Sequence, residues 1–230
     1  ETEGFQIRSP RTRLSNCHSH GGTASGFVLL ENAAGSSLDN CSARETRTSG
    51  GSGFGFQAVV GNITFFGCIA EANERQGYSF AADRIRMVAC TSLSNNLTGA
   101  TVDEINVATG VTGLVIVGGE FGGSTNIARF ANAATNFLME GCDLHDFTSL
   151  FGGATLPTSR IVRGNRGWVT ENNGTATVAN GATTIAVTHG LSATPALEDI
   201  SVTATNNLGN AAQFWISTPT STQFTINVDV

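Results

Sequence analysis

Cleaving a glycosidic bond takes two carboxyl groups, one to protonate the leaving oxygen and one to act as nucleophile or base. In this sequence Glu120 and Asp143 are the pair that spacing singles out. Each directly follows an anchor position in a recurring frame, Ile116-Val-Gly-Gly119 and Met139-Glu-Gly-Cys142. If the two frames stack as neighbouring β-strands, the two backbones lie about 5 Å apart, close to the ~5–5.5 Å carboxyl separation of retaining glycosidases. Two such charges would also raise one pKa. Glu140, His145 and Asp146 stand beside them and would line a carbohydrate-binding rim. His18 and His20 form a second polar edge that could hold sugar rings. The plain alternatives are a solvated acidic ladder and a solvated histidine edge. Ser-His-Asp spacing is absent. Gly50-Gly-Ser-Gly-Phe-Gly55 precedes a strand rather than a helix, so it reads as a flexible turn and not a phosphate cradle.

These residues owe their placement to a repeat. Leu14-Ser-Asn-Cys17, Leu38-Asp-Asn-Cys41, Phe65-Phe-Gly-Cys68 and Met87-Val-Ala-Cys90 share the frame, which continues at 119 and 142 and fades at Val162-Arg-Gly-Asn165. The anchors 17, 41, 68, 90, 119, 142 and 165 average about 25 residues apart, a solenoid period. Three residues before each anchor stands an apolar residue, and one before it a small or turn-forming one. Two residues after it the position is again small or apolar. Flanking this last position stand two mixed and polar columns that read as outward: His18, Ser42, Ile69, Thr91, Glu120, Asp143, Arg166, and His20, Arg44, Glu71, Leu93, Gly122, His145, Trp168. That is strand alternation. A second apolar strand precedes each anchor, beginning at Gly4-Phe-Gln-Ile7, Gly26-Phe-Val-Leu29, Gly55-Phe-Gln-Ala58 and Gly77-Tyr-Ser-Phe80, with weaker versions near Ile105, Ile127 and Leu150. No segment shows helical periodicity, and the L-x-x-L-x-L pattern of leucine-rich repeats is missing. The reading is all-β: a right-handed single-stranded parallel β-helix of about seven coils over 1–167, then a small antiparallel β-sandwich-like domain over 168–230.

The cysteines fall in one inward column, so they read as buried, reduced thiols rather than disulfides. Five is also an odd number. Cys17-His-Ser-His20 is the one local zinc-like cluster, but its cysteine points inward and its histidines outward. No metal and no cofactor is expected. Arg8, Arg11 and Arg13 cluster at the start, as an edge or a solvated face.

Composition narrows the partners. The 230 residues carry 12 basic and 18 acidic side chains, for a net charge of -6. Every basic residue is arginine, and none lies beyond Arg166. Without clustered positive charge, nucleic acid is a poor partner, and no apolar run approaches the ~18 residues of a membrane span. The opening residues show neither a basic stretch nor an apolar core, so they are not expected to be a signal peptide. The loss of cations after 166 marks the domain boundary. Beyond it, candidate strands fall at 175–178, 184–188, 199–204, 212–217 and 223–229, separated by Asn172-Asn-Gly174, Asn180-Gly181, His189-Gly190, Asn206-Asn-Leu-Gly209 and Pro219. A domain of ~60 residues has a small core and would lean on the coil or on identical copies. His189 would fix a turn or a subunit contact.

The β-coil, followed by Gly-Asn-Arg-Gly-Trp168-Val-Thr-Glu-Asn, Thr188-His-Gly-Leu-Ser-Ala-Thr-Pro195, Gln213-Phe-Trp-Ile216 and Phe224-Thr-Ile-Asn-Val-Asp, resembles tail spikes and tail fibres of tailed bacteriophages and prophages, and related head spikes. The resemblance spans the whole chain. It implies a parallel homotrimer on the virion surface, extracellular, that binds host cell-surface polysaccharide. It also implies contact with particle components through an N-terminal region lying before this portion. Some members cleave their polysaccharide, so an endo-glycosidase depolymerase is the alternative. A secreted polysaccharide lyase is a second, weakened by the absence of lysine and of a dense aspartate cluster.

Overall fold

The computed structural model describes residues 4–47, 53–97, 103–131, 135–153, 157, 159–169, 172–205 and 211–229. The chain divides into two compact units, Glu1–Gly167 and Trp168–Val230.

The first unit is a parallel β-solenoid of about six turns. Seven anchors enclose six repeats, which is why the turn number is one below the anchor count. Each turn contributes a short strand to each of three faces. The first face stacks Phe5–Ile7, Phe27–Leu29, Phe56–Ala58, Tyr78–Phe80 and Asp103–Val107, then the far parts of the long strands Val115–Phe130 and Asp143–Gly153. The second stacks Arg13–Ser15, Ser37–Asp39, Ile63–Phe66, the start of Ile85–Leu93, the start of Val115–Phe130, Phe137–Glu140 and Arg160–Arg163. The third stacks His18–His20, Ser42–Arg44, Ile69–Glu71, the end of Ile85–Leu93, residues 120–122 and the start of Asp143–Gly153. The register matches the inferred columns rung by rung, including His18↔Ser42↔Ile69↔Thr91↔Glu120↔Asp143.

The corners are left-handed residues. Asn16, Asn40, Gly67, Ala89, Gly118, Gly141 and Gly164, the small column of the frame, all have φ between 49° and 67°. Two further corner columns were not evident in the sequence. Arg11, Gly35, Asn62, Arg84, Gly113 and Asn136 turn the chain from the first face to the second. Gly21, Glu45, Ala72, Ser94, Gly123 and Asp146 turn it off the third.

The interior is made of stacks. Phe5, Phe27, Phe56 and Tyr78 lie ring on ring, with centroids 4.7, 4.9 and 5.0 Å apart and planes within 11°. Each such pair contributes about 0.5–1.5 kcal/mol beyond its burial. Leu38, Phe65, Met87, Ile116 and Met139 fill the second face from inside, all essentially inaccessible. Cys41, Cys68, Cys90 and Cys142 are buried free thiols and Cys17 is half-buried. The thiols of Cys41, Cys68, Cys90 and Cys142 each point at a carbonyl of the preceding turn, on Leu14, Leu38, Phe65 and Gly118, at 3.4–3.8 Å. Burial pushes the Cys142 thiol up to about 12. Hydrogen bonding to the Cys90 sulfur, with burial, pushes Cys68 up as well.

A polar ladder runs through this apolar interior. Thr46, Asn73, Asn95 and Glu104 are all buried. Asn73 Oδ1 accepts from the Thr46 backbone N–H and hydroxyl at 3.1 and 2.8 Å, and its Nδ2 donates to Ala43 O at 3.1 Å. Asn95 repeats the pattern one turn on, accepting from Asn73 and donating to Ala70 O. Glu104 closes it, accepting from Ser92 Oγ at 2.7 Å and from Asn95 Nδ2 at 2.6 Å.

The second unit holds one three-stranded antiparallel sheet of Thr184–Thr188, Gln223–Val228 and Phe214–Ser217, with the central strand Gln223–Val228. The strands expected at 175–178 and 199–204 do not form. Residues 175–178 are of strand-forming types but have no partner strand among the described residues, and Leu197–Asp199 closes into a 3₁₀ turn. The described residues therefore give one sheet, not two facing sheets. Among them no apolar side chain of this unit is fully buried. Elsewhere, part of the Gly50–Gly55 segment and the Asn206–Gly209 turn lie outside the described residues.

Candidate functional site

The third face carries its chemistry on the last turns. Glu120 and Asp143 are strand partners, side by side as their column requires. His145, two residues beyond Asp143 and on the same outward side, reaches back across the turn. Its Nε2 lies 3.0 Å from Glu120 Oε1, and its Nδ1 lies 3.1 Å from Asp146 Oδ2. Carboxylates only accept hydrogen bonds, so two carboxylate partners call for an N–H at both ring nitrogens, the imidazolium form. Asp146 first, then Glu120, raises the His145 pKa above its ordinary 6.5. Room for the ring comes from Gly122. A Cβ there would stand 2.7 Å from His145 Nδ1 and 2.4 Å from His145 O. Asp146 is itself a left-handed corner (φ 50°), and its carboxylate is 83% exposed.

Asp143 is held differently. Arg166, one turn on in the same column, grips it with Nε to Oδ1 at 2.8 Å and Nη2 to Oδ2. The guanidinium draws the Asp143 carboxyl below its usual range. A like charge alongside would raise one pKa of this pair; for Asp143 the cation overrides it. Held ionised, Asp143 does not suit the proton donor's part, which in this pair would fall to Glu120.

Three other expected residues lie apart. Glu140 is on the second face, around the Gly141 corner, in a two-pronged ion pair with Arg163 at 3.1 and 3.3 Å. His18 and His20 are on the first turn. His18 Nδ1 is 2.8 Å from Ser42 Oγ, and His20 Nε2 is 3.6 Å from Glu45. Four rungs separate them from Glu120, about 19 Å at the ordinary strand spacing. One compact site thus gathers Glu120, Asp143, His145, Asp146 and Arg166, and it excludes Glu140, His18 and His20. Arg166 could have been found, since it stands in the Glu120–Asp143 column. Asp146 was expected on the rim, but its bond to the His145 ring could not have been read, because it depends on the left-handed corner at Asp146.

Beside Asp146 lies a shallow recess of about 370 Å³, lined by Gly123, Ser124, Thr125, Asp146 and Thr148. A second recess of about 210 Å³, at the first turn among Phe5, Ile7, Arg8 and Leu14, exposes core side chains and no acid. Among the described residues no His, Cys, Asp and Glu side chains gather into a metal-ligand set, and no helix is long and apolar enough to cross a membrane. His189 is buried in the second unit. It accepts from Leu191 N at Nδ1 and bonds Thr220 O through Nε2, both at 3.0 Å, tying two turns together.

No protein-family model, curated protein or solved structure matches this chain. The resemblance to spike proteins is carried by the residues quoted above alone.

Proposed function

We propose that this chain is the polysaccharide-attachment portion of a trimeric, phage-type spike. The reading places it at the virion surface, binding host cell-surface glycan along the third face. The observation that carries the reading is the Asp146–His145–Glu120 and Asp143–Arg166 network beside a recess of hydroxyls. Carboxylates and hydroxyls on a rigid, solvent-facing ladder suit sugar hydroxyls. The rung spacing of about 4.8 Å is near the length of one pyranose unit, so successive turns can meet successive sugars. Binding is preferred over cleavage for two reasons. Asp143 is committed to Arg166 and Glu120 to His145, and the recess is shallow, whereas hydrolysis calls for a free proton donor and a second carboxylate closing on either side of one glycosidic bond. The homotrimer and the particle-borne setting rest on the resemblance.

A glycan array probed with the full chain tests this, with capsule and lipopolysaccharide fragments as ligands. Retention without release of reducing ends is expected, weakened by Asp146→Asn and Thr148→Ala. No retention on any surface polysaccharide would sink the reading. Release of reducing ends that Glu120→Gln and Asp143→Asn both abolish would establish the depolymerase instead.

A further inference from the structure

The sheet of the second unit has two unlike faces. Ile185, Val187, Phe214, Ile216, Phe224, Ile226 and Val228 share one. The other carries Thr184, Thr188, Ser217, Gln223, Thr225 and Asn227, and among them one large aromatic, Trp215, 48% exposed. An indole so exposed on the polar side of a sheet is not explained by packing, since the apolar face is the opposite one.

Its surroundings describe a ligand. In register across the strands, Trp215 is followed by Asn227 and then Thr184. Asn227 Nδ2 is directed at Ser217 Oγ (2.8 Å) and Trp215 O (3.4 Å), while its Oδ1 accepts nothing among the described residues. The hydroxyls of Thr184, Thr188 and Thr225 likewise bond no described protein group. This face bears no charged side chain, and residues 168–230 contain neither lysine nor arginine. The nearest acid in sequence, Asp229, is spent on the backbone N–H groups of Ala212 and Gln213 at 2.8 and 2.7 Å. A flat apolar plate ringed by uncharged hydroxyl and amide groups matches a neutral pyranose. The ring's C–H face would lie on the indole and its hydroxyls would reach Asn227 and Thr184. An anionic sugar would find no cation here.

We propose that Trp215, with Asn227 and Thr184, is a second saccharide subsite, selective for neutral pyranoses. The proposal rests on the saccharide-binding reading above but uses different residues, so the two can fail separately.

The experiment follows the two indole N–H signals of the full chain by NMR. The titrants are neutral gluco-, manno-, galacto- and N-acetylglucosamine oligosaccharides, with oligogalacturonate as the charged comparison. The Trp215 signal should move with at least one neutral oligosaccharide and not with oligogalacturonate, while Trp168 serves as internal reference. Trp215→Ala should weaken that binding about tenfold, the worth of one aromatic contact, and Trp215→Phe should restore most of it. Asp146→Asn should leave it unchanged. Trp215 is exposed, so the variants should fold, as circular dichroism would verify. If no neutral oligosaccharide moves the Trp215 signal, or if Trp215→Ala binds as the parent does, the subsite does not exist. Shielding of Trp215 from acrylamide in the sugar-free protein would overturn it too, since the plate would then be a protein contact.

Discussion

His145 joins two turns of the solenoid through a proton. Its pKa is raised in the folded chain, by Asp146 and then Glu120, so the linkage has a definite sign. The stabilisation is fully present below the ordinary histidine value and is lost as pH rises through the elevated folded value. The ring is partly exposed (side chain 37%), so screening limits the effect to about 1 kcal/mol or less. Melting temperature against pH should show a small drop over that window, removed by Glu120→Gln combined with Asp146→Asn. A parent curve indistinguishable from the double variant's would mean the bridge contributes nothing. The corner residues give a cleaner test. Gly141 has φ 67° and open space where a Cβ would go, so Gly141→Ala isolates the left-handed penalty, about 1–2 kcal/mol. Ala89 already sits there at φ 51° and is exposed. Ala89→Gly should gain up to about 1 kcal/mol, after the greater freedom of glycine in the unfolded chain is subtracted. Urea unfolding measures both, and opposite signs are expected.

Among the elements, the asparagine ladder is the interior's most exacting part. Asn95→Ala would strip Ala70 O of a donor, the Asn73 backbone N–H and Nδ2 of an acceptor, and Glu104 Oε2 of one hydrogen bond. Each orphaned buried group costs about 1–3 kcal/mol, so a loss of ~3 kcal/mol or more is expected from denaturant midpoints. A loss below about 1 kcal/mol would show that water replaces the amide. This ladder also shows where sequence reading stopped. The strand columns were legible because similar residue types recur about every 25 residues, Leu14, Leu38, Phe65 and Met87 inward and His18, Ser42 and Thr91 outward, while inward and outward positions alternate along each strand. The ladder lies five residues past the anchors at Thr46, Asn73 and Asn95, and only the frame extended that far would have caught it. Two corner columns stayed hidden because Arg11 and Arg84 in one, and Glu45 and Ala72 in the other, are not turn-formers by type. Tertiary stacking alone holds them left-handed. Residues 175–178 failed in the opposite sense, since strand-forming types with no neighbouring strand among the described residues do not make a strand. For the site, Glu120 beside Asp143 was legible as a column. The Arg166 grip and the His145 bridge depend on side-chain reach, which spacing does not encode.

On the scale of the whole molecule, the second face of the solenoid leaves Phe66, Val88 and Val117 in one outward column and Val115, Leu138 and Ile161 in the next. Phe66 and Ile161 are half exposed, at 50% and 53%. Ion pairs Arg13–Asp39 and Glu140–Arg163 occupy the turns at either end. The second unit adds a sheet with one apolar face and no fully buried apolar side chain. Both units would gain from association, and the proposed homotrimer would offer each the same partner. Light scattering of the parent should give three times the chain mass. Phe66→Glu and Ile161→Asp should shift it toward a single chain without changing the far-ultraviolet circular dichroism spectrum. A parent of single-chain mass would rule the trimer out.

The column of thiols has a use as a built-in gauge of where the coil opens first. Cys17, Cys41, Cys68, Cys90 and Cys142 mark successive rungs, with one left unmarked at Gly119, where a Cβ would meet Cys90 O at 2.0 Å. A pulse of alkylating reagent in mild urea, read by peptide mass, therefore reports rung by rung which thiols have become reachable. If the stack peels from an end, modification should spread in order from Cys17, the half-buried member, toward Cys90. If it opens all at once, the five should react together at one rate. The same chain, with no label engineered in, can thus distinguish an unzipping coil from a cooperative block.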